Sequence, residues 1–394
     1  MPRILQVFNR YRERGGEEKS VERIFGHLSE LGPIEKCWFD SREWDEPGAP
    51  GKLRQAGLIG NNPSSRERLR EASKRAGAST WLVHNVVPVA SFGVYREAAE
   101  LGIPVLQYCH NFRPFSVSGT LWAKGMVCDA GLRRQFGPEV RAANWQGSRL
   151  KSAILAWHLQ NLHRSGALEN VKMWIAISEF VAGKFREAGV PAERVVALRH
   201  SWDARPDAPP RRDQGYYLFL SRLVEEKGVR PLLEAWALLE RQLGDKCPRL
   251  VIGGTGPCEA EVLAASDGSE RIDFVGFVAG DQKVDLVDGC RAMLGPSIWW
   301  EPLGLVTYEA YDAGKPMLAA ASGGLTETVH EGETGFRHVP GDAVSLANSV
   351  RKLEELGAAG RHEMGAKGRE WLLQEANPVR WRDRFSEILE KLEP

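Results

Sequence analysis

Short apolar runs rich in β-branched residues alternate with longer amphipathic segments along most of the chain. In the first half the strand-like runs are residues 4–8, 34–39, 81–86, 104–109, 173–177 and 194–199, and helical spacing marks 17–31, 92–101 and 179–188. In the second half strand-like runs recur at 217–221, 249–253, 272–275, 292–295, 316–320 and 336–339. Near-continuous apolar strands separated by helices predict parallel sheets buried on both faces. The series restarts after a stretch at 200–215 that holds three prolines, both charge signs and few apolar residues. That is linker composition. The pattern therefore predicts an α/β protein of two doubly wound, Rossmann-like domains facing a cleft. The expected division is an N-terminal domain over 1–205, a second over 206–375, and a C-terminal helix over 376–394 that packs back on the first. Beyond about residue 341 strand signals stop and three helical segments are expected. Residues 111–149 have weak periodicity, with glycines and aromatics interspersed, and read as a functional loop.

Length and composition agree with this picture. A chain of 394 residues is long for one core. The 52 Lys and Arg side chains balance 52 Asp and Glu, so no global field draws the protein to nucleic acid or to an anionic membrane. Cys37, Cys109, Cys128, Cys247, Cys258 and Cys290 are scattered with no metal-ligand spacing. No signal-peptide layout and no membrane-spanning apolar run is present, and a reducing cytoplasm is the expected setting, with peripheral contact at the inner face of the membrane left open.

Ligands of open parallel sheets bind beyond the carboxyl ends of the strands, so the chemistry is sought there. FLSRLVEEKGV puts Arg222 and Lys227 in one such loop, where they either neutralise a diphosphate or are solvated surface charges. GPSIWWEPLGLVTYEAYDAGK follows another strand and predicts a helix from about Gly304, with Glu301 just before it and Glu309 in its second turn. A helix start offers free N–H groups to an anion, while a carboxylate beside it accepts from sugar hydroxyls. The adjacent Trp299 and Trp300 either floor a sugar site or belong to the core. In AASGGLTETVHEGETGF, Gly323 and Gly324 would let the backbone approach a ligand, with Glu327 on the next helix. In the first half, Gly15 and Gly16 precede a helix and could meet phosphates. His84 and His110 each end a parallel strand and should point toward the cleft.

Taken together these residues resemble the retaining glycosyltransferases of family four, which have the GT-B fold. The resemblance covers nearly the whole chain and is most specific between Ser221 and Val339. There R-x4-K, GGTGP, FVGFV, E-x7-E, GG-x-x-E and E-G-x-T-G-F follow in the family's order. It implies that Arg222 and Lys227 bind the donor diphosphate, that Glu309 binds the donor ribose, and that Gly276 and Phe277 sit near the base. Glu301 with the backbone of Pro302, Leu303, Gly304 and Leu305 would hold the donor sugar. Gly15 and Gly16 match the family's phosphate-loop glycines, and His110 the histidine that contacts the donor sugar near the reacting carbon. RGGEE, HNVVPVAS, HNFR and ISEF look closest to bacterial members that make surface polysaccharides, although only Cys128 remains of the cysteines those relatives carry in the 111–149 loop.

The implied reaction moves a hexose-type sugar from a nucleoside-diphosphate sugar, UDP- or GDP-linked, with retention and without metal or cofactor. No D-x-D motif ends a strand, which agrees with metal independence. The acceptor, whether glycan, lipid-linked or small molecule, is not identified. Loops 12–14, 86–92 and 111–149 are its expected side, with His84 and Arg113 as candidates. Arg12, Arg14, Arg133 and Arg134 either suit a phosphate-bearing acceptor or are solvated. Two other readings stay open, a nucleotide-sugar epimerase on the same fold and a catalytically silent nucleotide-sugar-binding protein. A dehydrogenase is disfavoured because Glu259 stands where a dinucleotide fingerprint needs its third glycine.

Overall fold

In the computed structural model, residues 2–12, 15–207 and 212–392 are described. The chain divides into two compact units. The first comprises Met1–Lys124, Cys128–Ser201 and Pro378–Pro394; the second comprises Gly125–Val127 and Trp202–Asn377.

The first unit is built on strands β1 (Ile4–Arg10), β2 (Ile34–Asp40), β3 (Thr80–Val83) and β4 (Val105–Cys109). The two-residue strands β5 (Trp122–Ala123) and β6 (Met126–Val127) precede β7 (Val171–Ala176) and β8 (Val195–Ala197). Its six-stranded parallel sheet runs β2-β1-β3-β4-β7-β8. Every residue of β3 and β4 is buried, which is why these strands read as unbroken apolar runs rather than alternating ones. The edge strand β2 alternates instead and carries Lys36, whose ammonium lies 4.1 Å from the Phe25 ring and 4.4 Å from that of Trp38. A charge on an edge discourages pairing with another chain.

The helix Gly16–Leu31 buries Val21, Ile24 and Leu28 on one stripe. The helix Pro378–Glu390 buries Trp381, Phe385, Ile388 and Leu389, positions that share a face at 3.6 residues per turn. Trp381 packs 5.5 Å from the His27 ring, and Arg382 pairs with Glu30 at 3.0 Å. These contacts fasten the late helix to the first one.

The second unit holds β9 (Tyr216–Leu220), β10 (Arg249–Gly253), β11 (Ile272–Phe274), β12 (Ala292–Gly295), β13 (Met317–Ala320) and β14 (Gly335–His338). All pair in parallel, in the order β11-β10-β9-β12-β13-β14. Helices Val229–Leu243 and Ala343–Glu355 cover one face through Leu232, Trp236, Leu346 and Val350, all fully buried. Burying each such side chain contributes about 1.5–3 kcal/mol.

The segment expected as a loop over 111–149 is folded through polar ties. It contains 3₁₀ turns at Arg113–Phe115 and Asp129–Arg133 and the short helix Gly137–Arg141. The buried Glu139 carboxylate accepts from Ser116 Oγ at 2.7 Å and from the backbone N–H groups of Val117 and Ser118 at 3.0 and 3.1 Å. Five of the six cysteines are buried and all are free; Cys128 alone is half-buried. No helix among the described residues is long and apolar enough to cross a membrane.

Candidate functional site

In the second unit the strand order reverses between β9 and β12. At such a switch point the loops leaving the two strands diverge and open a crevice. The loop after β9 carries Arg222 and Lys227, and the loop after β12 carries Ser297 to Gly304. Backbone bonds lock the first loop in place. Leu223 N–H donates to Thr255 O at 2.8 Å, and Leu223 O accepts from Cys258 N–H at 2.9 Å. The GGTGP stretch is thereby used as a brace for the Arg222 loop. Gly228 closes that loop at φ +77°, and a Cβ there would stand 1.9 Å from Pro296 O. Only glycine lets the two switch-point loops touch.

Lys227 Nζ lies 2.7 Å from Glu301 Oε2, and the same oxygen accepts from Ser297 Oγ and Trp299 Nε1, each at 3.0 Å. Glu301 Oε1 carries no protein hydrogen bond among the described residues. Lys227 also stands 5.1 Å over the Trp299 ring. Trp299 is therefore buried scaffold rather than an exposed sugar floor, while Trp300 is half-buried. Arg222 is exposed and pairs with no described carboxylate.

The helix after β12 spans Leu305–Asp312, with Gly304 as its N-cap at φ +83°. Glu309 falls in its second turn, where Oε1 accepts from Lys283 Nζ at 2.6 Å. Gly276 has φ +67°, and the adjacent Phe277 ring is 72% exposed. Gly323 and Gly324 were expected to admit a ligand, but their close approach is to the protein itself. Gly324 N–H donates to Glu301 O at 2.7 Å, and a Cβ on Gly323, at φ +60°, would meet that oxygen at 2.2 Å. The glycine pair thus fixes the backbone that carries Glu301. Gly323→Ala should push this segment away, destabilising the protein by about 1–3 kcal/mol and weakening nucleotide-sugar binding. Thermal melting and calorimetry read the two effects separately.

In the first unit the order reverses between β1 and β3, which brings the start of the helix Gly16–Leu31 beside the loop after β3. Gly15 is the extended N-cap at φ −132°, and a Cβ on it would meet nothing within 4 Å. Gly15 and Gly16 are both exposed.

His84 and His110 are buried members of a hydrogen-bonded row that also contains His200. The tautomers follow from its first link. Trp38 Nε1–H donates to Gln6 Oε1 at 3.2 Å, which orients the amide so that Gln6 Nε2 donates to Val21 O and to His84 Nε2. His84 must then carry its proton on Nδ1 and donate to His110 Nε2 at 2.8 Å. His110 in turn donates from Nδ1 to His200 Nε2 at 3.3 Å. The row ends at His200 Nδ1–H, a buried donor without a partner among the described residues. Both ring nitrogens of His110 are therefore engaged by neighbouring imidazoles. Burial holds all three rings well below the ordinary histidine range, His110 at about 3, with repulsion from neighbouring imidazoles adding to it at His84 and His200.

Sequence reasoning missed several residues. Lys283, the partner of Glu309, lies 26 positions away on the helix Gly280–Gly289 and follows no motif. His200 stood in the linker composition. Glu17 was hidden behind the glycine pair; its Oε2 accepts from Tyr11 OH and Asn111 Nδ2, each at 3.0 Å, and burial raises its carboxyl to about 7. Of the arginines considered for the acceptor side, Arg12 pairs with Asp45 and Arg133 with Asp129. Arg134 donates to Ala188 O at 2.8 Å. Arg113 donates to Val117 O at 2.6 Å and stacks over Trp145. Arg14 lies outside the described residues, as does part of the proline-rich linker, 208–211.

A parallel sheet with cations, carboxylates and a helix start at its switch point has the layout of a Rossmann-like domain. Comparison with known proteins narrows the class. Residues 201–371, within the second unit but for the first residue, match the family model described as glycosyl transferases group 1. Glycogen synthase of Mycobacterium tuberculosis is 32% identical over 198 residues, 49% of this chain and 46% of that protein. Alpha-D-kanosaminyltransferase of Streptomyces kanamyceticus is 24% identical over 296 residues, 73% of this chain and 70% of that one. The chain thus spans less than half of the glycogen synthase it matches. Among solved structures, Anabaena Alr3699/HepE in complex with UDP-glucose aligns with a TM-score of 0.66 at 18% identity, over 98% of this chain and 99% of that one. The fold is that of GT-B glycosyltransferases, two Rossmann-like parallel sheets with their helices.

Proposed function

We propose that the protein transfers a hexose-type sugar from a UDP- or GDP-linked donor to an acceptor hydroxyl, with retention at the anomeric carbon and without a metal ion. The observation that carries this reading is the Lys227–Glu301 pair beside the exposed Arg222 at the switch point of the group 1 domain.

A diphosphate entering this loop competes with Glu301 for Lys227. Arg222 offers a fork to its oxygens, and the N–H groups of Leu305 and Val306 at the helix start face the same negative charge. Glu301, relieved of its cation, has both oxygens available for sugar hydroxyls, while the backbone of Pro302, Leu303 and Gly304 lines the sugar. Glu309 keeps Lys283 on Oε1 and has Oε2 left for a ribose hydroxyl. Gly276 and the exposed Phe277 suit the base. As the glycosidic bond breaks, its electron pair stays on the leaving phosphate, where these cations are most useful. The acceptor's proton passes to that phosphate and its oxygen bonds to the anomeric carbon. In the first unit, Gly15 and Gly16 offer a separate anion site, and His84 and Arg113 stand on the acceptor side. With both ring nitrogens engaged, His110 serves to hold the imidazole row.

Glu309→Ala should weaken donor binding about 10-fold or more, the usual effect of losing a hydrogen bond to a charged group. Calorimetry against UDP-glucose and GDP-mannose checks this, and unchanged affinity for both removes Glu309 from the site.

A further inference from the structure

Among the buried polar atoms of the first unit that find no partner within the described residues, two belong to charged side chains that line the same cavity. Glu17 Oε1 and Arg113 Nε have no hydrogen-bond partner among the described residues, although Glu17 Oε2 and Arg113 Nη1 are both engaged. On Glu17 the second oxygen takes both available donors, Tyr11 OH and Asn111 Nδ2. On Arg113 the Nη1 donates to Val117 O, and the guanidinium plane is held over Trp145 at 4.8 Å. Neither side chain is free to turn toward solvent without breaking those ties. A buried polar atom left without a partner costs about 1–3 kcal/mol, more when charged, so the fold keeps two such atoms at a substantial expense.

Both residues line one cavity of about 20 Å³, together with His84, His110 and Asn111. That space admits a single group the size of a water or a hydroxyl. Charge narrows the choice further. An amine would face the Arg113 guanidinium, and a carboxylate or phosphate oxygen would face the Glu17 carboxyl. A neutral hydroxyl satisfies both, donating to Glu17 Oε1 and accepting from Arg113 Nε.

We propose that Glu17 and Arg113 form a subsite for one hydroxyl of a neutral, sugar-class acceptor. The proposal rests on the glycosyltransferase reading and adds to it the residues and the polarity of the acceptor. It excludes a charged acceptor group at this position. Glu17 stands one residue from the N-terminus of the helix Gly16–Leu31, and Arg113 opens the 3₁₀ turn Arg113–Phe115. Both are thus set on fixed backbone rather than on a free loop tip.

The test uses the full-length protein in the presence of UDP and a panel of methyl glycosides of glucose, galactose, mannose and N-acetylglucosamine. Saturation-transfer NMR finds the glycoside that binds, and each of its monodeoxy analogues is then compared. The expected result is that Glu17→Gln weakens that glycoside about 10-fold, and that one deoxy analogue loses the same factor with the wild-type protein. The same analogue should lose nothing further with E17Q, because the deleted hydroxyl and the altered carboxyl are one interaction. Melting temperature checks that E17Q is folded, and Arg113→Lys, which keeps the charge but removes the Nε donor, is the second variant. Glycoside binding equal in wild type, E17Q and R113K, or no binding by any member of the panel, means that the cavity holds solvent only and overturns the subsite. UDP affinity, measured in the same samples, separates the two layers. Loss of glycoside binding with UDP binding intact touches only the subsite, whereas a protein that binds no nucleotide overturns the transferase reading.

Discussion

Replacing Lys227 by methionine should lower the rate of donor cleavage by about 100-fold or more, the scale set by removal of a single charge-stabilising group from an active site. Release of UDP or GDP from the corresponding sugar nucleotides, with water as acceptor, is a sufficient assay because the leaving group is the same. The loss should fall on kcat more than on KM, since negative charge on the diphosphate grows as the glycosidic bond breaks. Arg222→Met provides the contrast. Arg222 is exposed and pairs with no carboxylate among the described residues, so its replacement should slow cleavage and leave the melting temperature unchanged. Lys227 is largely covered and holds Glu301 at 2.7 Å, so K227M should also destabilise the apo protein. The carboxylate would keep only Ser297 and Trp299 as donors. Near-normal cleavage by K227M and R222M would sink the diphosphate assignment.

The second large effect is on stability. Between pH 6.5 and 5.5 the protein should lose thermal stability steeply, through the row His84–His110–His200. The unfolded chain protonates these imidazoles near pH 6.5, whereas the folded protein keeps them neutral until much lower pH. The unfolded state therefore binds more protons in this window, and stability is present above pH 6.5 and lost below it. Each imidazole contributes a slope of about 1.4 kcal/mol per pH unit. Glu17 acts in the opposite direction. Its folded carboxyl titrates at about 7 against an ordinary 4.5, so it adds stability as the pH falls through that range. Glu17 offsets one of the row's three slopes, leaving roughly 3 kcal/mol per pH unit from the row below 6.5, and the buried His163, held at about 4, adds in the same direction. For a unit of this size that corresponds to a melting-point drop of roughly 5–10 °C between pH 6.5 and 5.5. Scanning calorimetry measures it, and Glu17→Gln should steepen the drop. A melting temperature that stays level from pH 7.5 to 5.5 would show that the row is not buried in its neutral form.

What the sequence revealed and what it hid have a common physical basis. Strands and covering helices were legible because each buries a face, and burial imposes a period on the chain. Residues 249–253 and 292–295 were placed to the residue. The positions of Arg222, Lys227 and Glu301 in the loops after β9 and β12, and of Glu309 in the second turn of the following helix, were legible because each is counted from a buried strand. The 111–149 segment was opaque because Glu139 organises it by accepting hydrogen bonds at one point, which leaves no periodic trace. The Lys283–Glu309 pair was opaque for another reason, since two surface helices of unrelated spacing supply it. Gly323 was read with the right geometry and the wrong neighbour. A glycine announces that something comes close, and only the fold says that it is Glu301 O.

The helix Pro378–Glu390 carries a consequence for how the chain matures. It completes the first unit, yet 176 residues of the second unit, Trp202 to Asn377, are made before it. At about 5–20 residues per second, synthesis of that stretch takes roughly 9–35 s. Throughout this interval the stripe around His27 on the helix Gly16–Leu31 has no Trp381 to cover it. The second unit, contiguous but for three residues, can close as soon as it emerges from the ribosome. The half of the molecule that is translated first is therefore the half that finishes last.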